Sequence, residues 1–312
     1  MTVTTVRPEP EAEVEAEDTT APPLTEYGTG LLRTTVLPLP DGTYEWRRAP
    51  GPLAPAPFVP LSPGAVARLA DAAGRPAPGG VLLAPARPDG EARTYRVAGA
   101  ESVAFVLLTS GVTPALHDPL RGLGRALRAL HDTPLDELPA GRRSRGLDRL
   151  VTWLDGHTPS PRAAHAQAQV RRALGPERWA RVRGWAEEVT GDDRVVFAHG
   201  AAGLGSLVIG GPPGTAALLT GEDVCATPWY VDLGWVVGEL VELKWQLGGD
   251  PATWQSLIDA LFDGYGRDLG TDWRKLAALR VLLHVHDIAA YLDDHRGGFD
   301  HYSSFLKFLT DL

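Results

Sequence analysis

Along residues 27–113, apolar and polar positions alternate in short runs broken by turn residues; beyond residue 116 the spacing becomes helical. LLRTTVLPLP, then Asp41-Gly42, then TYEWRRA predicts a hairpin, because an Asp-Gly pair supplies the positive φ of a tight turn. GVLLAPAR, Pro88-Asp89-Gly90 and ARTYRVA predict a second hairpin. Between them SPGAVARLADAAG carries a capping Ser62 and apolar spacing for one helix. SVAFVLLTSG, residues 102–111, is a continuous apolar run and is expected as a buried strand.

In the second half, LRGLGRALRALHDTP (120–134) places Leu120, Leu123, Leu127 and Leu130 on one helical stripe and stops before Pro134. GLDRLVTWLDGH, PRAAHAQAQVRRALG and PERWARVRGWAEEVTG follow as amphipathic helices with Gly or Pro at their ends. VVFAHG, SLVIGG and TAALLTG read as short strands joined by glycine-rich turns, and four further helical stretches complete the chain. The pattern divides the chain into a 1–24 segment, a β-rich lobe over 25–115, and a helical lobe over 116–312 with a β insert at 195–220. The fold class is α+β.

Charge refines this picture at one end. Residues 1–24 hold Glu9, Glu11, Glu13, Glu15, Glu17 and Asp18 against Arg7 alone, which is more than half of the chain's net −9. With its prolines and no aromatics, that segment is expected to be a disordered acidic tail. The rest is only mildly acidic, so neither a nucleic-acid partner nor a membrane is expected. No apolar run reaches the roughly 18 residues that cross a bilayer. The N-terminus lacks the basic region and apolar core of a signal peptide, and the single cysteine, Cys225, excludes an internal disulfide; a cytoplasmic protein is expected.

Four short markers carry the candidate chemistry, in order: LGRALRALHDTP (123–134), VVFAHG (195–200), SLVIGGPPGTAALLTGED (206–223) and DLGWVVGELVEL (232–243). Their order and spacing resemble the aminoglycoside phosphotransferase and choline-kinase-like family, well over 120–300 and only by architecture over 27–115. The resemblance implies a two-lobed protein-kinase-like fold. It also implies an aspartate two residues after the HG histidine to accept the substrate proton, then an amide and a later aspartate to hold magnesium. Those places fall on Ala201, Ser206 and Thr220. The resemblance gives His199, Gly200 and Asp232 the task of bracing the loop. The strand lysine that would anchor nucleotide phosphates is missing too: the first lysine of the chain is Lys244. Arg47, Arg48, Arg93 or Arg96 could stand there, although a planar guanidinium fork is a poor replacement for a compact ammonium.

The sequence therefore reads as a kinase-like pseudoenzyme with its phosphotransfer residues gone, requiring neither ATP nor magnesium. A peptide or a partner protein of a biosynthetic complex is the expected ligand. By analogy with kinase-like proteins of ribosomal peptide pathways, a lanthipeptide substrate-binding subunit or thioether-forming cyclase is one context. A cyclase needs a base, for which His131, His199 and Tyr230 are candidates, with Cys225 a weaker one. Ser206, Glu222, Asp223 and Trp229 are candidate ligand-binding residues. An active divergent kinase using Glu222 and Asp223 for metal remains the competing reading, and a scaffold without ligand a third. Elsewhere, His284 and His286 lie two apart on a helix, so one is expected inside and one outside. Asp294, His295 and His301 cluster near a Gly-Gly break.

Overall fold

The computed structural model describes residues 22–55, 57–58, 61–73, 80–135, 144–212, 214–221, 223–292 and 299–312. Most of the expected acidic tail, Glu222, and the Asp294 and His295 pair lie outside the described residues. The Asp41-Gly42 hairpin forms between β2 (Leu32–Pro38) and β3 (Tyr44–Pro50). Asp41 Oδ1 accepts from the Thr43 N–H at 3.2 Å and its hydroxyl at 2.6 Å, while Gly42 supplies a φ of 79°. β1 (Thr25–Gly28), β5 (Arg87–Asp89) and β6 (Ala92–Val97) complete an antiparallel sheet in the order β1-β2-β3-β6-β5.

The second hairpin departs from expectation at Ala86. Upstream of it, β4 (Val81–Pro85) runs parallel to β10 (Ala216–Thr220), and the Ala86 N–H extends that ladder to the Thr220 carbonyl at 2.9 Å. Only Arg87–Asp89 remain to pair with β6. The parallel pair starts where Gly80 meets Gly214: a Cβ on Gly80 would lie 2.5 Å from the Gly214 Cα. β9 (Leu207–Ile209) and β7 (Glu101–Ser102) extend this second sheet, in the order β4-β10-β9-β7. The expected boundary after residue 115 is therefore crossed by a sheet drawing strands from both sides. The first sheet packs onto it through Val36, Trp46, Tyr95 and Val97 against Val208, Ala217 and Leu219. A two-stranded pair, β8 (Val195–Ala198) with β11 (Cys225–Pro228), carries the β insert beyond residue 220.

The apolar run expected as a buried strand is a helix, α2 (Val103–Ser110). Ser102 Oγ caps it by accepting the Phe105 N–H at 3.2 Å, and Gly111, at φ 73°, ends it. Only Val103 and Leu107 are buried, four apart, whereas Phe105 and Leu108 are exposed. A run apolar on all sides hides its own period, so a cap decides the outcome.

The remaining helices form as their patterns predict: α1 (Pro63–Ala73), α3 (His117–His131), α4 (Arg145–Leu154), α5 (Pro161–Gly191), α6 (Tyr230–Leu247), α7 (Pro251–Tyr265), α8 (Trp273–Tyr291) and α9 (Asp300–Asp311). α5 is two helices meeting at Gly175 (φ 74°, ψ 171°), as the two separate sequence stretches imply. The α3 stripe Leu120, Leu123, Leu127 and Leu130 is fully buried. α3 and α7 touch backbone to backbone. A Cβ on Gly124 would stand 2.1 Å from the Leu261 carbonyl oxygen, and one on Gly264 would stand 1.9 Å from that of Arg121. His286 is buried and His284 half-exposed, as their spacing requires. His301 stacks on Trp245 with centroids 3.8 Å apart. Among the described residues, no helix is long and apolar enough to cross a membrane.

Candidate functional site

β8 delivers His199 and Gly200 to the end of a strand, and the first turn of α6 brings Asp232 beneath them. The fully buried Asp232 carboxylate holds three donors. Its Oδ2 accepts the His199 N–H at 2.7 Å and His131 Nε2 at 3.0 Å, and its Oδ1 accepts the Gly200 N–H at 2.8 Å. Burial alone would raise its pKa, but the hydrogen bond and charge of His131, then the pull of His199, hold it below the ordinary carboxylate value. The other His131 nitrogen, Nδ1, faces the Tyr265 hydroxyl at 2.9 Å. Gly200 has φ 83°, and its carbonyl accepts from Ser144 Oγ at 3.3 Å.

His199 is locked from both ring nitrogens. Nε2–H donates to the Leu219 carbonyl at 2.8 Å and Nδ1 accepts the Ala201 N–H at 3.3 Å. This is the neutral ring, and burial drives its pKa down against the attraction of Asp232. The unfolded chain takes up a proton first as pH falls, and stability drops with it. Stability should therefore fall as pH drops below the ordinary histidine value of about 6.5. Urea melts between pH 7.5 and 5.5 should show that slope in the wild type, and His199→Gln should flatten it. Equal slopes in both proteins would show that His199 does not carry it.

The loop that follows is closed by Arg48, which lies outside the four markers, and by Glu239, which lies within the fourth. Arg48 on β3 donates to Ser206 Oγ at 3.1 Å and to the Gly205 carbonyl at 3.0 Å. Glu239, from α6, accepts the Leu204 N–H at 2.6 Å, the Trp235 indole N–H at 3.1 Å and Arg280 at 2.7 Å. Glu239 lies within the DLGWVVGELVEL marker, but its helical spacing there gives it no distinct role. Thr220 is fully buried in β10 and donates to the Leu218 carbonyl at 2.9 Å, so the place of the later metal aspartate turns into the interior. Asp223 does face the cleft, 3.9 Å from Arg145.

Above this loop lies a cleft of about 800 Å³ between the first sheet, α2 and the helices. Its floor carries the pairs Arg149–Asp287 (3.1 Å) and Arg280–Glu239 (2.7 Å) beside Trp235. Of the candidate ligand and base residues, His199, Ser206 and Asp223 line it. His131, Tyr230, Cys225 and Trp229 lie outside it. Tyr230 donates its hydroxyl to Asp192 at 2.9 Å, and burial followed by that bond pushes its pKa far above neutrality. Trp229 stacks on Tyr265 at 5.5 Å, with the Arg267 guanidinium 4.1 Å from its ring centroid. Cys225 is buried on β11, opposite Ala198 and against Gly200.

No family model and no curated protein matches the sequence. Solved structures do match its fold. The amicoumacin kinase hAmiN, in complex with AMP-PNP, Ca2+ and Ami, aligns with a TM-score of 0.55 at 12% identity, over 92% of this chain and 87% of that one. A thermostable mutant of the aminoglycoside phosphotransferase APH(4)-Ia, with ADP and hygromycin B, aligns with a TM-score of 0.52 at 12% identity, over 92% and 91%. With its antiparallel sheet lobe, helical lobe and the loop clamped by Asp232 between them, the chain has the α+β fold of aminoglycoside phosphotransferase-like kinases.

Proposed function

We propose that this protein is a pseudokinase: its cleft binds a peptide, and no phosphoryl group is transferred. The observation that carries this reading is the seat of Arg48. Its guanidinium occupies the loop oxygens of Gly205 and Ser206, where the family resemblance would have an amide hold magnesium. With Ala201 unable to accept a proton and Thr220 turned into the core, these residues do not fit a magnesium nucleotide. The Asp232 clamp keeps the shape of the loop without its chemistry.

An open cleft with apolar walls over an ion-paired floor can take up an extended peptide. Maturation of a ribosomally made peptide is a fitting context, with this chain as a substrate-binding subunit. Thioether closure would require a base in the cleft. His199 is the candidate there, and both of its nitrogens are engaged. The cleft-facing carboxylate of Asp223 is the feature that favours the competing reading, an active divergent kinase.

A thermal melt with and without Mg-ATP separates the two. At about 100 times its Kd, a ligand specific to the folded state stabilises by about 2.7 kcal/mol, which raises the melting temperature by several degrees. No rise is expected for this protein at millimolar Mg-ATP. A rise of that size would overturn the pseudokinase reading.

A further inference from the structure

Among the described residues, one wall of the cleft has backbone groups in β1 that are unpaired on one side. Among these residues, β1 is the outermost strand of the first sheet and is bonded to β2 alone, with all four of its residues exposed; just beyond it, the Gly30 N–H donates to the Tyr291 carbonyl at 2.7 Å. The Thr29 N–H to Leu32 carbonyl bond, 2.8 Å, continues the β1–β2 ladder, and Tyr27 stands opposite Thr34. Antiparallel alternation then turns the backbone N–H and carbonyl of Glu26 away from β2. The opposite edge of the same sheet, β5, is Arg87-Pro88-Asp89, and a proline between two charges is a usual block against strand addition. β1 has no such block besides Glu26.

The side chains around this edge are apolar and uncovered. Leu24 (58% exposed), Tyr27 (47%), Phe105 (52%) and Leu108 (57%) are among the few large exposed hydrophobics of the described residues, and all four line this one cleft. Side chains alternate between sheet faces, and Thr25 and Tyr27 face the cleft. Every second side chain of a strand added at β1 would fall on that same face, towards the α2 lip of Phe105 and Leu108.

Charge selects the ligand further. The floor cations are engaged: Arg149 with Asp287, Arg280 with Glu239, and Arg48 with Ser206 and the Gly205 carbonyl. At the rim, Glu101 is exposed, and its carboxylate makes no ion pair or hydrogen bond among the described residues.

We propose that the free edge of β1 takes up an extended peptide as an added strand, with alternate apolar side chains between Tyr27 and the Phe105–Leu108 lip and a basic side chain against Glu101. This rests on the peptide-binding reading of the cleft and specifies the peptide: extended, apolar at every second residue, and cationic. Main-chain pairing supplies the affinity and the alternate side chains the selectivity.

The test is fluorescence anisotropy with a fluorescein-labelled nine-residue peptide that alternates leucine and threonine and carries one central lysine. It is compared with the same peptide N-methylated at alternate amides, and with a lysine-to-glutamate version. The lysine peptide should bind. N-methylation of the pairing register should weaken it about tenfold or more, because each lost hydrogen bond is worth up to about a factor of ten. Glu101→Arg should reverse the preference between the lysine and glutamate peptides. Phe105→Asp with Leu108→Asp, both on the surface, should abolish binding without changing the melt. If no peptide binds, the strand-addition proposal is overturned. If peptides bind, are lost with Phe105→Asp and Leu108→Asp, yet ignore N-methylation in either register, the cleft still binds peptide but not at the β1 edge. A Mg-ATP shift in the melt would instead overturn the underlying reading.

Discussion

Asp232→Ala should cost about 4–5 kcal/mol, a large share of the 5–15 kcal/mol that holds a typical domain folded. The carboxylate has zero exposure and accepts from two backbone amides and one imidazole. Removing it leaves three buried donors without acceptors, each with a desolvation penalty of about 1–3 kcal/mol. Asp232→Asn keeps one acceptor oxygen and the volume, so it should lose roughly half as much. Urea melts at neutral pH measure both. A loss below about 1 kcal/mol for the alanine variant would mean that water or a shifted loop satisfies the donors. Acid gives a second check. Because the folded pKa of Asp232 is depressed, its contribution is complete above the unfolded carboxylate value of about 3.9 and fades as pH falls through the lower folded value. The gap between wild type and Asp232→Asn should therefore narrow only in strong acid.

Gly200→Ala should be nearly as damaging, about 4 kcal/mol, for a different reason. At φ 83° an L side chain is strained, and its Cβ would also stand 2.0 Å from the Asp223 carbonyl oxygen and 2.8 Å from Cys225 Sγ. A backbone oxygen cannot rotate away, so β8 and β11 would have to separate. Gly42 provides the control, because its φ of 79° is nearly the same and nothing lies within 4 Å of its Cβ position. Gly42→Ala should cost only about 1 kcal/mol, the conformational part alone. Equal losses at the two sites would remove the steric explanation.

Much of the architecture is legible in local pattern. The leucine stripe of α3, the Asp-Gly turn and the Ser62 cap each act within a few residues of themselves. What local pattern misses depends on distant partners or on a missing period. Residues 103–108 are apolar on every face, and their helical state follows from Ser102 and Gly111 rather than from periodicity. β4 leaves its apparent hairpin because a strand about 130 residues later offers it a parallel ladder. The site divides the same way. His199, Gly200 and Asp232 stand together where the spacing of HG and DLGW suggests. By contrast, nothing in VVGELVEL distinguishes Glu239 from an exposed helical acid, and only the fold shows it closing on Leu204 and Arg280. Tyr230 and Trp229 are near the loop in sequence, yet the turn into α6 points them to Asp192 and Tyr265.

The parallel ladder from Val81 to Thr220 also bears on mechanics. Lobes that close on a ligand do so by concentrating rotation in a few linker torsions. Here the strands before and after the midpoint of the chain share one hydrogen-bonded sheet, and the first sheet packs onto it through buried apolar side chains, so rotation would have to break that packing. The gap above the Asp232 loop should therefore change little in width. A ligand that fits it gives up little free energy to reorganise the host, and its arrival should follow simple bimolecular kinetics without a slower isomerisation behind it.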